Sequence, residues 1–260
     1  MNRLRIPFFY LTLLFWLLLW AVPSLPIAVN ALAQHGHEDP VSVQVEPSPG
    51  HEHSGHANAS PGWEGSKEGI AYSERNHHIA GWLVIMMGLA ELSHALRLPS
   101  LTWARFLLPA AMSGTGLFLM IWSDHEAWPI GQLSLSDTFF GGNHEIIQHK
   151  TYGLLTLAVG IIETFRRLGH MGHMAWTTPL PLMAIVGGLM LFSHSHGSHP
   201  SAAKIELHHS VMGLMAITAG SSKLWSGWST VRSKQGTSRW EFLWAGLILL
   251  IGVQLLFYSE

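Results

Sequence analysis

Six apolar stretches constrain what this chain can become. They lie at about 79–96, 104–122, 148–165, 177–194, 210–227 and 241–258, each about 17–20 residues long. That is close to the length a helix needs to cross a hydrocarbon core of ~30 Å. No alternation of apolar and polar residues competes with them. Only 12% of the residues are charged, about half the roughly 25% usual in soluble domains, and mean hydropathy is +0.25. The spacing predicts an all-α fold: a polytopic integral membrane helix bundle with six transmembrane helices after an N-terminal signal peptide. A formal net charge of -2 with few charges argues against nucleic acid as a partner. Zero cysteines exclude disulfides, zinc ribbons, iron–sulfur clusters and thiol catalysis.

The first segment reads as an export signal. Arg3 and Arg5 precede an apolar run over 6–22, Pro23 and Pro26 break it, and Ala31-Leu32-Ala33 fits the small-x-small cleavage pattern. The division is therefore 1–33 signal peptide, 34–76 flexible His-rich tail and 77–260 transmembrane domain, with Gln34 as first mature residue. The alternative is an uncleaved anchor. Either way the tail lies outside the cytoplasm. Threaded from outside, the spans put Arg97, Arg105, Arg166, Arg167, Lys223, Arg232, Lys234 and Arg239 at cytoplasmic ends. Lys67, Arg75, Lys150 and Lys204 stay outside, and eight against four obeys the positive-inside rule. The mature N-terminus and Glu260 then face the periplasm of a bacterial inner membrane.

Small residues in the spans, among them Gly114, Gly116, Gly187, Gly188, Gly213, Ala216, Ala219 and Gly220, predict close helix approach.

The chain holds 18 histidines. Five are in the tail: His35, His37, His51, His53 and His56. At or near outer span ends stand His77, His78, His125, His144, His149, His194, His196, His199, His208 and His209. A single interfacial His is ordinarily just a polar residue at headgroup depth. Helices that bring several to one layer are how a bundle builds a metal or haem site. The candidate metal ligands are His77, His78, His125, His144, His149, His194, His196, His208 and His209. Asp124 and Glu126 flank His125 as orienting carboxylates would. The run from His144 to His149 has a gap of five, whereas the zinc-protease helix motif needs four, which excludes a metalloprotease. Met112, Met120, Met190, Met212 and Met215 place thioethers below the imidazole layer, and that combination favours copper over zinc. Glu91, His94, Glu163 and Lys223 lie within spans. They read either as an inner proton or ion relay or as a structural pair of Lys223 with Glu163 or Glu91.

Through His77-His78, His194-Ser195-His196 and His208-His209, residues 77–258 loosely resemble copper-resistance inner-membrane proteins of the CopD type. The resemblance implies copper uptake, transfer or tolerance, working with a periplasmic copper-binding protein. A second resemblance, to cytochrome b561-like bundles, implies one haem b near the outer face, held by His78 or His149 with His208 or His209. A third reading is an assembly factor that docks a periplasmic metalloprotein through the loop at 123–147, which carries Trp128, Phe139, Phe140 and Gly141-Gly142. No nucleophile–base arrangement or nucleotide loop appears, so the chain does not read as an enzyme.

Overall fold

A computed structural model describes Trp63 and residues 65–97, 102–192, 201–233 and 239–260. Among the described residues the regular structure is helical throughout, without a strand. The order is α1 (Lys67–Ala95), α2 (Leu107–Ile121), the short α3 (Leu135–Phe140), α4 (His144–Arg167), α5 (Pro179–Phe192), α6 (Ala202–Ser233) and α7 (Arg239–Leu256). Turns of 3-10 helix, Thr102–Phe106 and Met174–Thr177, lead into α2 and α5. The expected signal peptide (1–33) and residues 34–62 of the tail lie outside the described residues, as do His194, His196 and His199. Residues 67–76, assigned above to the tail, form the first turns of α1.

Local chemistry sets the ends. The Ser66 hydroxyl accepts from the Gly69 amide at 3.0 Å, and the Asn143 side chain accepts from the Glu145 and Ile146 amides. These occupy amides that have no partner within the helix. At the other end of α4, Gly169 has φ +83°, its amide meets the Arg166 carbonyl, and the His170 amide meets that of Phe165. That is a Schellman ending, and its usual apolar contact is supplied by the His170 ring on Phe165 at 6.2 Å. His170 is thereby accounted for structurally.

The six long helices form a ring. α1 packs on α7 and α2, α2 on α4, α5 on α6 and α6 on α7, while a thinner contact between α4 and α5 closes the circle. Three of these crossings are glycine on glycine. A Cβ at Gly116 would sit 2.7 Å from the Leu157 amide nitrogen and 2.8 Å from the Gly153 carbonyl oxygen. One at Gly188 would sit 2.7 Å from the Gly213 carbonyl oxygen, and one at Gly81 would sit 3.0 Å from that of Gly252. Only a missing Cβ lets the backbones come so near. Gly114, by contrast, has room for a Cβ, which would meet only a Leu83 methyl at an ordinary contact distance of 3.6 Å.

Among the described residues, three helical segments are long and apolar enough to cross a membrane: Trp103–Ile121, Met174–Phe192 and Arg239–Leu256. The sequence reading expects six. The other three long helices, α1, α4 and α6, have lower mean hydropathy because their faces carry polar groups such as Glu91, Lys150, Glu163 and Lys223. Glu91, Lys150 and Glu163 are almost fully enclosed in the ring, and Lys223 is largely covered. The outward faces of the same helices are apolar: Trp82, Met86 and Leu89 on α1, Leu154, Ile161 and Phe165 on α4, and Val211 and Leu214 on α6 are all exposed.

Candidate functional site

The ring encloses a cavity of about 400 Å³. One end of the ring, the histidine end, is where α1, α4 and α6 begin and α2, α5 and α7 finish. His77, Asp124, His125, Asn143, Glu145, His149, His209 and Glu260 line the cavity there. Deeper, the walls are mostly apolar, with Met87, Met183, Met190 and Met212 among them. Leu108, Leu180 and Trp244 also line it, each within two turns of the opposite end of its helix. The cavity is thus a shaft that follows most of the bundle's depth.

Asp124 organises one side of the mouth. It follows α2 and is 8% exposed. His149 donates Nδ1–H to its Oδ1 at 2.7 Å, and the wholly buried Lys150 ammonium lies 3.1 Å from its Oδ2. The Ser123 hydroxyl also donates to it, and Lys150 further reaches the Leu119 carbonyl at 3.2 Å. This bracket ties the end of α2 to the first turns of α4. It also fixes the His149 tautomer, leaving Nε2 as the basic ring nitrogen. Burial pushes the Asp124 carboxyl up, but the His149 ring, the Lys150 ammonium and the Ser123 hydroxyl outweigh that and hold it below its ordinary 3.8. A depressed carboxyl contributes stability above its ordinary value and loses it as pH falls through the folded value. The stability gap between wild type and Asp124→Asn is therefore expected to narrow as pH drops below 3.8. Thermal midpoints of both proteins against pH check this.

The other side of the mouth is aromatic. The His77 ring stacks on Tyr258 at 3.8 Å and lies 6.2 Å from the His209 ring, centroid to centroid. Tyr258 is 1% exposed and donates its hydroxyl to Glu260, which also accepts from Ser73. His77 Nδ1 meets the Ser73 carbonyl at 2.9 Å.

The shaft gathers four of the candidate ligands, His77, His125, His149 and His209, from α1, the connection after α2, α4 and α6. His125 packs on the Trp63 ring at 4.4 Å beside Glu126. His78 bonds the Tyr258 carbonyl at 3.0 Å, His208 is held by Gln254, and His144 is exposed at the start of α4. None of these three lines the shaft. Among the described residues no group of three His, Asp or Glu side chains is arranged to hold a metal ion as it stands. Asp124 serves His149 and not its sequence neighbour His125, a pairing across 25 residues that spacing alone does not reveal. Of the expected thioethers, Met190 and Met212 line the shaft, while Met112 is buried in the core cluster. Met87 and Met183 join the lining without having been singled out.

The opposite, charged end holds a closed ion network. The Glu91 carboxylate accepts from Arg167 at 2.6 Å, Lys223 at 2.7 Å and the Trp244 indole at 2.8 Å. Glu163 accepts from Arg166 Nε and Nη2, at 2.8 and 2.7 Å, and from Arg167 Nε at 3.2 Å. Glu241 takes Lys223 and the Ser226 hydroxyl. Of the two pairings expected for Lys223, the one with Glu91 forms, and Glu163 turns instead to the arginines one turn along its own helix.

Comparison of the chain with known protein families, curated proteins and solved structures finds no match.

Proposed function

We propose that this chain is a six-span protein of a bacterial inner membrane that binds copper in its shaft, taking the ion at the periplasmic, histidine end. One observation carries the reading. A single cavity collects imidazoles of His77, His149 and His209 from three helices at its mouth and thioethers of Met87, Met183, Met190 and Met212 along its walls. Imidazole suits Cu(II) and thioether suits Cu(I), so this donor set serves copper better than a hard cation. The bound ion would draw the mouth imidazoles together, and His194-Ser195-His196, next in sequence after α5, offers further donors. α1, α4 and α6, at 29, 24 and 32 residues, are long enough to span. Their charges face one another inside while exposed Trp, Leu and Ile face lipid, as intramembrane charges require. A periplasmic copper carrier would dock beside the mouth, on the connection that exposes Trp128, Ile130, Leu135 and Phe140.

The test is metal content and affinity of the purified protein. His77→Ala with His209→Ala is expected to weaken Cu(I) binding at least tenfold by the general cost of losing metal-site groups, and unchanged binding would overturn the assignment. Asp124→Asn leaves the shaft imidazoles in place but is expected to weaken binding by roughly 10–100-fold, because an unanchored His149 must be ordered by the ion itself.

The size of the shaft supports a second reading. About 400 Å³ falls within the ~300–1,000 Å³ of organic-ligand pockets and far exceeds one ion. For a haem b, His149 and His209 are the axial candidates that line the shaft, and the haem would supply one-electron transfer. A Soret band in the purified protein decides for it.

A further inference from the structure

We infer that the shaft is blind: whatever it binds enters and leaves through the histidine mouth, because the ion network at the charged end is its permanent floor. Trp244 belongs to both. Its ring lines the shaft and its Nε1 donates to Glu91 immediately beyond. Behind it stand three carboxylates and three cations, so the cluster is neutral as a unit. All six carboxylate oxygens of Glu91, Glu163 and Glu241 have a donor: Arg167, Lys223 and Trp244 on Glu91, Arg166 and Arg167 on Glu163, Lys223 and Ser226 on Glu241. Among the described residues, a cation descending the shaft therefore meets at the bottom carboxylate oxygens that are already engaged by donors and balanced in charge.

The cluster also sews the ring shut. Its members come from α1, α4, α6 and α7, and Arg167 adds the Arg105 carbonyl in the turn before α2. Glu91, Glu163 and Trp244 are each at most 2% exposed. Separating any of these helices would strand a buried charge without its partner, which is strongly unfavourable. A relay needs a group that can give up its partner, and here the pairing is complete. The protein then works between a donor and an acceptor in one compartment and does not carry its cargo across the membrane. This inference deepens the copper reading and rests on it for the identity of the cargo, but not for the sidedness of the shaft.

The chain has no cysteine, so single reporters can be placed at will. Ala184 lines the lower shaft on α5. Gln132 is exposed in the connection after α2, and Gly172 is exposed before α5 with no atom near a Cβ there. Gln132→Cys and Gly172→Cys, labelled with a membrane-impermeant maleimide, report which end faces out of a reconstituted vesicle. Ala184→Cys is then challenged with a small impermeant cationic methanethiosulfonate. Reaction at least tenfold faster in vesicles with the Gln132 end outward supports the blind shaft. Comparable rates from both ends, or faster reaction from the Gly172 end, overturn it. In a second arm, vesicles loaded with Cu(I) under ascorbate are exposed to an impermeant copper chelator. Stripping only from the Gln132 end supports one-sided exchange, and stripping from both ends overturns it. If no copper is retained while Ala184→Cys still reacts from the Gln132 end alone, the copper reading fails and the blind shaft stands.

Discussion

Replacing Glu91 by Ala is expected to destabilise the protein by about 3–5 kcal/mol, the range for removing one partner of a buried ion pair. The carboxylate is 1% exposed and holds Lys223, Arg167 and the Trp244 indole at once. Its loss leaves Glu241 as the one carboxylate on Lys223 and Glu163 as the one carboxylate on Arg167 among the described residues. Unfolding of the detergent-solubilised protein, followed by Trp fluorescence, measures the effect. Glu91→Gln keeps the shape and an acceptor oxygen, so it is expected to fall between wild type and Ala. Arg75→Ala is the matching surface control. Its guanidinium lies 5.3 Å from the Tyr72 ring at an exposed position, and a change under about 1 kcal/mol is expected there. Equal effects of Glu91→Ala and Arg75→Ala would show that the network does not hold the ring together.

Gly116→Ala and Gly188→Ala are each expected to lose about 1–3 kcal/mol, the range for overpacking a tight contact. The added methyl at Gly116 would meet the Leu157 amide nitrogen at 2.7 Å, and the one at Gly188 the Gly213 carbonyl oxygen at 2.7 Å. Both obstacles are backbone and cannot swing aside, so the helices must part. Gly114→Ala is the internal control, two residues from Gly116 on α2. Its Cβ would find only a methyl at 3.6 Å, so it is expected to be neutral or to gain up to ~1 kcal/mol from the better helix former. Thermal midpoints of the three variants in one detergent give the comparison. A loss at Gly114 as large as at Gly116 would mean that helix approach is not what these glycines serve.

Much of the helical plan is legible in the sequence, because long apolar runs bounded by polar ones encode it locally. Each of the six stretches falls largely within a long helix. The limits differ where polar residues continue a helix past its apolar part: α1 begins at Lys67 and α6 reaches Ser233. Composition also pointed to Gly116, Gly188 and Gly213, yet it ranked Gly114 beside them. Only the helix neighbours separate a glycine at a tight crossing from one with room for a methyl. Gly81 and Gly252 escaped notice because their contact joins the first and last long helices.

The site was legible in residue type more than in pairing. Placement at one end selects His77, His125, His149 and His209, which line the shaft, but it selects His78, His144 and His208 as well, which do not. Which face of a helix points inward separates them. His77 and His78 are neighbours in sequence, yet His77 lines the shaft and His78 bonds the Tyr258 carbonyl. The bracket of Asp124, His149 and Lys150 is hidden in the sequence because Asp124 follows α2 while His149 and Lys150 stand on α4. The pairing of Glu163 with Arg166 and Arg167 was visible in principle, being i,i+3 and i,i+4 on one helix. The arginines had been read only as markers of orientation.

The partnership of α1 with α7 bears on how the chain is made. Glu91 leaves the ribosome 76 residues ahead of Arg167, 132 ahead of Lys223 and 153 ahead of Trp244. Until Arg167 is made, α1 therefore carries an acid that none of these partners yet neutralises, and its groove stays empty until α7 arrives. Nascent chains halted before Arg239 should be held at the insertion machinery or cleared by membrane quality-control proteases, whereas chains that include α7 should be released and survive.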